Sequence, residues 1–168
     1  GADIIAPAAM LDGQIGAIRA ALDETGFHRT ATMGYSAKYS STLFDPFFSS
    51  GTGSSVTFGD KRTHQMDIAN GDEALREIEL DIEEGADIVM VKPGLYCLDI
   101  VYRAKEEFSM PTAVYNVSGE YLMLKLAARQ GNMDEKRLMS EVLYSMKRAG
   151  ADIIITYYAN QAASLFNE

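Results

Sequence analysis

The chain is predicted to be an α/β protein built on a parallel sheet, and three observations support this. Short apolar runs alternate with longer segments of helical periodicity, the pattern of repeated βα units. The runs are rich in β-branched and aromatic residues, which suit a pleated, buried surface. Three of them open on the same tripeptide, as GADIIAP at 1–7, GADIVMVKP at 85–93 and GADIIITYY at 150–158. Each GAD falls where a helix ends and a strand begins, so that glycine supplies a left-handed cap and aspartate the tight turn beyond it.

The first strand is expected at 3–6, directly after the first GAD, and a helix at 14–23 follows with apolar residues three to four apart. A second strand is expected at 31–36, within ATMGYS. The stretch 39–70 then breaks the regularity, and a helix over 72–84 restores it. Strand 88–91 and helix 99–107 form the next unit, followed by strand 113–117 and two helices, 121–129 and 135–148. Strand 153–157 and a short helix at 161–166 close the chain. Five strands result, each followed by a helix.

With 168 residues, 47% of them hydrophobic, the chain can bury the core of one domain. No apolar run reaches the roughly 18 residues of a membrane span, and no leader of signal-peptide type opens the sequence, so a cytoplasmic protein is expected. A single cysteine, Cys97, excludes an internal disulfide and any multi-cysteine zinc site, and His28 and His64 lack metal-ligand spacing. The formal net charge of −9, with no basic stripe, argues against a nucleic-acid partner.

Chemistry is expected at the strand ends. A lysine stands at the C-terminal end of a strand in both MGYSAKYSS and GADIVMVKP, the rim where βα barrels and open α/β sheets place their active sites. An ordinary lysine, with a pKa near 10.4, is protonated at neutral pH and cannot attack a carbonyl. Desolvation and a second ammonium nearby both penalise the charged form. Lys38 and Lys92 are therefore a candidate pair for Schiff-base chemistry, either condensation or aldol cleavage. Ser118 and Tyr157 lie at the same rim, with hydroxyls able to hold a carboxylate. The long loop carries Phe44, Phe47, Phe48 and Phe58, and so reads as an active-site lid over about 39–70 rather than a linker. Its GTGSS portion is no phosphate loop, because no glycine-lysine-serine/threonine sequence follows it.

The motifs YSAKY, FGDKRTHQMD, EALREIELDIEEGADIVMVKPG, YCLDIV, VYNVSGEY and KRAGADIIITYY appear in the order and approximate spacing of one family. In them the sequence resembles the C-terminal half of porphobilinogen synthases, also called delta-aminolevulinic acid dehydratases, over nearly its whole length. The resemblance implies a TIM-type (β/α)8 barrel, represented here by about five βα units. It also implies condensation of two 5-aminolevulinate molecules to porphobilinogen in tetrapyrrole biosynthesis. By it, Lys92 forms the Schiff base with the first substrate, and Lys38 forms or assists one with the second. Ser118 and Tyr157 match residues that bind the first substrate's carboxylate, and Lys61 matches a basic residue that binds the second's. Glu77 matches a glutamate that serves an allosteric magnesium site in some members.

Three departures from the family pattern stand out. FDPFFS replaces the usual YGPFRD, which puts Phe48 where an arginine is expected to grip the second substrate. APAAMLDG replaces APSDMMDG, leaving Ala8 and Ala9 for a serine and an aspartate, and Cys97 stands where a tyrosine is usual. In the family, the first barrel strands, a metal-binding segment and an oligomerisation arm precede the position of Gly1. A full barrel of this kind needs eight strands and about 250 residues. The sequence thus fits a piece of a longer enzyme or a truncated form that associates, as a homo-oligomer or otherwise, to complete its barrel. It also fits a diverged paralogue, either a Schiff-base lyase on another keto substrate or a non-catalytic interaction module.

Overall fold

Five strands and six α-helices make up residues 1–44 and 61–166, the part of the chain that the computed structural model describes. In order they are β1 (Ile4–Ile5), α1 (Gln14–Glu24), β2 (Ala31–Lys38), α2 (Asp72–Glu83), β3 (Ile88–Lys92), α3 (Leu98–Phe108), β4 (Thr112–Asn116), α4 (Ser118–Arg129), α5 (Glu135–Arg148), β5 (Ile153–Thr156) and α6 (Ala159–Phe166). The strands pair in the order β1-β2-β3-β4-β5, all parallel. Every strand adds to the same side of the one before it. Such a singly wound sheet is the wall of a barrel, whereas a doubly wound sheet reverses direction partway.

Every expected element is present, with its ends adjusted by local hydrogen bonds. β4 stops at Asn116 because the Val117 N–H turns to the Glu120 carboxylate at 3.0 Å. β5 stops at Thr156, short of Tyr157, because the Tyr158 N–H is taken by the Thr156 hydroxyl at 3.1 Å. β2 and β3 each run on to include their lysine, and α4 begins at Ser118, three residues before the expected start.

The sheet separates two apolar layers. On the helix side lies the main core, which includes Ile78, Val89, Val91, Ile100, Val101, Val114 and Met146. On the other face Met33, Ile88, Met90 and Ala113 pack with Tyr35, Tyr115, Ile153 and Ile155, the filling of the barrel interior. Strand alternation produces this split: neighbouring residues in IVMVK point to opposite layers.

The repeated GAD does more than turn the chain. Gly85 and Gly150 take φ of 98° and 114°, the left-handed conformation that ends α2 and α5. Each following aspartate then reaches sideways to the preceding strand. The Thr32 N–H donates to Asp87 Oδ2 at 2.8 Å, and the Thr112 N–H donates to Asp152 Oδ2 at 3.0 Å. Lys105 adds a 2.7 Å ion pair to Asp152. Asp3 holds the same place on β1, which is the edge of the sheet, so among the described residues it has no preceding strand to hold.

Candidate active site

Simple alternation would not put the two lysines on one face. Met33 and Tyr35 face the barrel interior, so a regular β2 would turn Ala37 inward and Lys38 toward the helices. The ladder instead pairs Gly34 with Val89 and Ala37 with Val91, three residues of β2 against two of β3. This bulge shifts the phase by one residue. Ala37 joins the helix-side core, fully buried, and Lys38 swings to the inner face directly opposite Lys92. Gly34 begins the bulge, where a Cβ would lie 2.3 Å from Asp81 Oδ2, so a side chain there would displace the carboxylate packed behind the strand.

Aromatic rings surround the pair. Lys92 Nζ stands 4.6 Å from the centre of the Tyr115 ring and 5.4 Å from that of Tyr35, and Lys38 Nζ lies 5.6 Å from the same Tyr35 ring. Both cations thus share one aromatic neighbour within cation–π range. Lys38 Nζ also donates to the Ala8 carbonyl in the segment after β1. Burial first, and then the Tyr157 hydroxyl beside it, push the Tyr115 phenol up to about 12, so it is a neutral donor throughout the physiological range. Motif reading missed Tyr35 and Tyr115. Their signal was positional: each lies on the inner face of a strand beside a lysine-bearing one.

The other expected site residues divide. Tyr157 is 45% exposed at the rim, its ring 5.6 Å from that of Tyr121, and its hydroxyl reaches Tyr115. Its neighbour Tyr158 is instead a core residue, 1% exposed and packed edge-on against Tyr121. Ser118 is buried at the start of α4, where its hydroxyl donates to the Leu43 carbonyl at 3.2 Å. Lys61 opens a 3₁₀ turn, Lys61–Thr63. Phe47, Phe48 and Phe58 lie outside the described residues, as does the middle of the proposed lid. Both ends of that loop meet at Lys38: the Met66 N–H donates to the Lys38 carbonyl at 3.1 Å, and the Ser40 N–H to that of Met66 at 2.9 Å.

Glu77 faces a cleft of about 520 Å³ that it shares with Asp12, Arg62, His64 and Glu73. Burial and then the charges of Asp12, Glu73 and Asp81 raise its carboxyl above the ordinary value. Among the described residues no group of three or more His, Cys, Asp or Glu side chains is placed to hold a metal ion, at Glu77 or elsewhere. The Cys97 thiol is buried against the core, and burial, then Asp99 and Glu120, push it up to about 12, which leaves it inert.

Behind the lysine pair sits a carboxylate that motif reading also missed. Glu120 is fully buried and accepts the Leu95 N–H at 2.7 Å, the Asn116 side-chain amide at 2.7 Å and the Val117 N–H at 3.0 Å. The Thr156 hydroxyl in turn donates to Asn116 Oδ1 at 2.8 Å. Burial raises the Glu120 carboxyl, and these donors, with the Gly94 N–H, pull against it.

A parallel barrel wall with an amine pair facing inward at its C-terminal rim defines a class: the lysine-bearing (β/α) barrels. The chain belongs to the delta-aminolevulinic acid dehydratase family, whose model matches residues 1–165. It is 57% identical over 163 residues to the delta-aminolevulinic acid dehydratase of Synechococcus elongatus, covering 97% of this chain and 50% of the relative. Against that of Archaeoglobus fulgidus it is 55% identical, with the same shares covered. The crystal structure of the Toxoplasma gondii enzyme, in complex with its reaction product porphobilinogen, superposes with a TM-score of 0.94 at 47% identity, over 98% of this chain and 47% of that one. The chain spans about half the length of the curated relatives it matches. No helix among its described residues is long and apolar enough to cross a membrane.

Proposed function

We propose that this chain carries the Schiff-base half of a porphobilinogen synthase, a lyase that condenses two 5-aminolevulinate molecules to porphobilinogen in tetrapyrrole biosynthesis. The observation that carries the proposal is the bulge in β2, which brings Lys38 opposite Lys92 on the inner face. A like charge opposite a lysine disfavours its ammonium form and so supplies a neutral amine. The neutral Nζ of Lys92 adds to the ketone carbon of the first substrate, water leaves, and a C=N bond remains as an electron sink. Lys38 assists or engages the second substrate. Tyr157 and Ser118 hold the first carboxylate, for which Ser118 must exchange its bond to Leu43, and Lys61 holds the second. Magnesium held at Glu77 would act allosterically.

Borohydride reduction in the presence of 5-aminolevulinate, read by peptide mass spectrometry, tests the assignment. The label is expected on the peptide containing Lys92. Labelling at other lysines with Lys92 untouched overturns it.

Phe48 favours a second reading, an imine-forming enzyme on a less acidic keto substrate. A charge-assisted carboxylate contact contributes on the order of 1.5–3 kcal/mol, so its loss weakens the second-substrate site roughly ten- to a hundredfold. With the barrel completed, Phe48→Arg should raise porphobilinogen output at low 5-aminolevulinate and leave trapping at Lys92 unchanged. Normal output with Phe48 in place would instead assign the grip to another residue such as Arg62.

The open edge supports association as well. Ile4 on the edge strand is 44% exposed, and Ile153 and Ile155 of the inner layer are only partly buried. We expect the chain to associate with a second copy or with a partner that completes the wall. Sedimentation showing a compact, cooperatively melting monomer at micromolar concentration would contradict this.

A further inference from the structure

We infer that Glu120 is the positioning residue for Lys92: its carboxylate fixes the turn after the lysine relative to the ends of β4 and β5. The inference rests on the proposed role of Lys92. As the third residue of α4, Glu120 caps its own helix through the Val117 N–H. Capping explains only that one bond, and a helix can be capped by a glutamate in water. Glu120 is instead fully buried, with Oε1 on the Leu95 N–H, 25 residues away in sequence, and Oε2 shared between Val117 and Asn116. Burying a carboxylate is costly unless every lone pair finds a donor. Here the partners are N–H groups, drawn from the turn after β3 and from the end of β4.

Leu95 is joined to Lys92 through Pro93 and Gly94 alone. That turn is seated against β4, since a Cβ on Gly94 would lie 2.9 Å from both Met146 Cε and Val114 Cγ2 and 3.1 Å from the Tyr115 carbonyl. Tyr115 is also the residue whose ring stands 4.6 Å from Lys92 Nζ. From Asn116 the network continues to the Thr156 hydroxyl, one residue before Tyr157. One buried carboxylate therefore spaces the amine, the neighbouring phenol and the β5 rim. Releasing its grip on Leu95 would let the lysine drift from Tyr115 while the sheet stays folded.

The test uses the full chain, with Glu120→Gln, which keeps the shape but turns an amide N–H₂ toward N–H donors, and Glu120→Asp as the conservative variant. Two properties of Lys92 are read. One is borohydride trapping across 5-aminolevulinate concentrations. The other is the pH profile of its competitive acetylation by acetic anhydride, which needs no substrate. For Glu120→Gln the maximal trapping rate should fall roughly ten- to a hundredfold, as expected for a misplaced reacting group. The half-saturating concentration should hold steady and the acetylation midpoint should move, with Glu120→Asp recovering part of both. Asp134→Ala removes the cap of α5, whose Oδ1 accepts the Arg137 N–H at 2.8 Å, and serves as a purely structural control. It should lower the melting temperature and change neither readout. A folded Glu120→Gln with both profiles unchanged overturns the inference, as does an equal loss in Asp134→Ala. If Glu120→Gln does not fold, Thr156→Val decides: a slower maximal trapping rate or a moved acetylation midpoint at wild-type stability supports the network, and unchanged profiles overturn it. If the wild-type chain traps no 5-aminolevulinate, the proposed reaction fails, and the acetylation profile alone still decides for or against Glu120.

Discussion

At the N-terminal ends of the strands, Asp87 and Asp152 each tie a strand to the one before it; at the C-terminal ends, Glu120 ties the turn after β3 to β4. The chemistry of the three clamps is the same, a carboxylate accepting backbone N–H groups across two strands. Their surroundings differ. The Asp152 side chain is 39% exposed and shares its charge with Lys105, whereas Glu120 is fully buried and hydrogen-bonded on both oxygens. A solvated clamp tolerates small movements because water can fill a broken bond. A buried one tolerates none, since each lost partner leaves a desolvated charge. The sheet thus has a compliant end and a stiff end, and the lysine pair stands at the stiff one.

The largest expected effect separates the two ends directly. Lys92→Ala should abolish imine trapping while the melting temperature stays near that of the wild type, because the side chain lies at the rim, on the inner face. Asp87→Asn at the opposite end should do the reverse, lowering the melting temperature and leaving trapping intact. If Asp87→Asn also suppressed trapping, the two ends would be mechanically coupled and the comparison would break.

Much of this arrangement was legible beforehand, for identifiable reasons. Helices such as 135–148 emerge with their expected ends because apolar spacing and a capping aspartate, Asp134, agree on the boundary. The GAD repeat marked three strand starts because glycine's left-handed conformation and aspartate's reach are local properties. Alternation within β2 misleads, because a bulge is decided by the neighbouring strand and by the room that Gly34 leaves for Asp81. Only the ladder shows that Lys38 faces inward. Glu120 was hidden for a related reason: a glutamate in a helix reads as exposed until the turn from β3 is laid over it. Tyr115 reads in the sequence as one more strand residue, although its phase matches that of the inner layer.

A middle-sized effect sharpens the comparison at the stiff end. Gly119 lies under the Thr42–Phe44 turn, where a Cβ would stand 2.6 Å from the Leu43 carbonyl oxygen and 2.7 Å from its Cα. Those are backbone atoms and cannot rotate aside. Gly119→Ala should therefore cost about 1–3 kcal/mol, the usual range for overpacking, seen as a lower denaturation midpoint. It should also break the Ser118 bond to Leu43. Gly131→Ala meets nothing within 4 Å, so any loss there comes only from its φ of 72° and should be smaller. Equal losses in the two variants would mean that the stalk of the loop yields easily, and that the C-terminal end is less stiff than the buried carboxylate implies.

The smallest effect belongs to the compliant end and depends on pH. The Asp152 carboxyl is held below its ordinary value, first by the hydrogen bond from Lys105 and next by the Thr112 N–H. A carboxyl with a depressed folded-state pKa contributes stability that is present above the unfolded value, near 3.9, and is lost as pH falls through the folded one. Asp152→Asn keeps an oxygen for the Thr112 N–H but gives up the charge facing Lys105. The stability gap between wild type and variant should therefore be full at neutral pH and close as the solution is acidified below about pH 4. Because both side chains are about a third exposed, 33% for Lys105 and 39% for Asp152, the gap should not exceed about 1 kcal/mol and should shrink with added salt. Chemical denaturation at pH 7 and pH 3, each at low and high ionic strength, reads all of this. A gap as wide at pH 3 as at pH 7, or one that ignores salt, would show that Asp152 works by packing rather than by charge, which would make the N-terminal end as rigid as the end that carries the lysines.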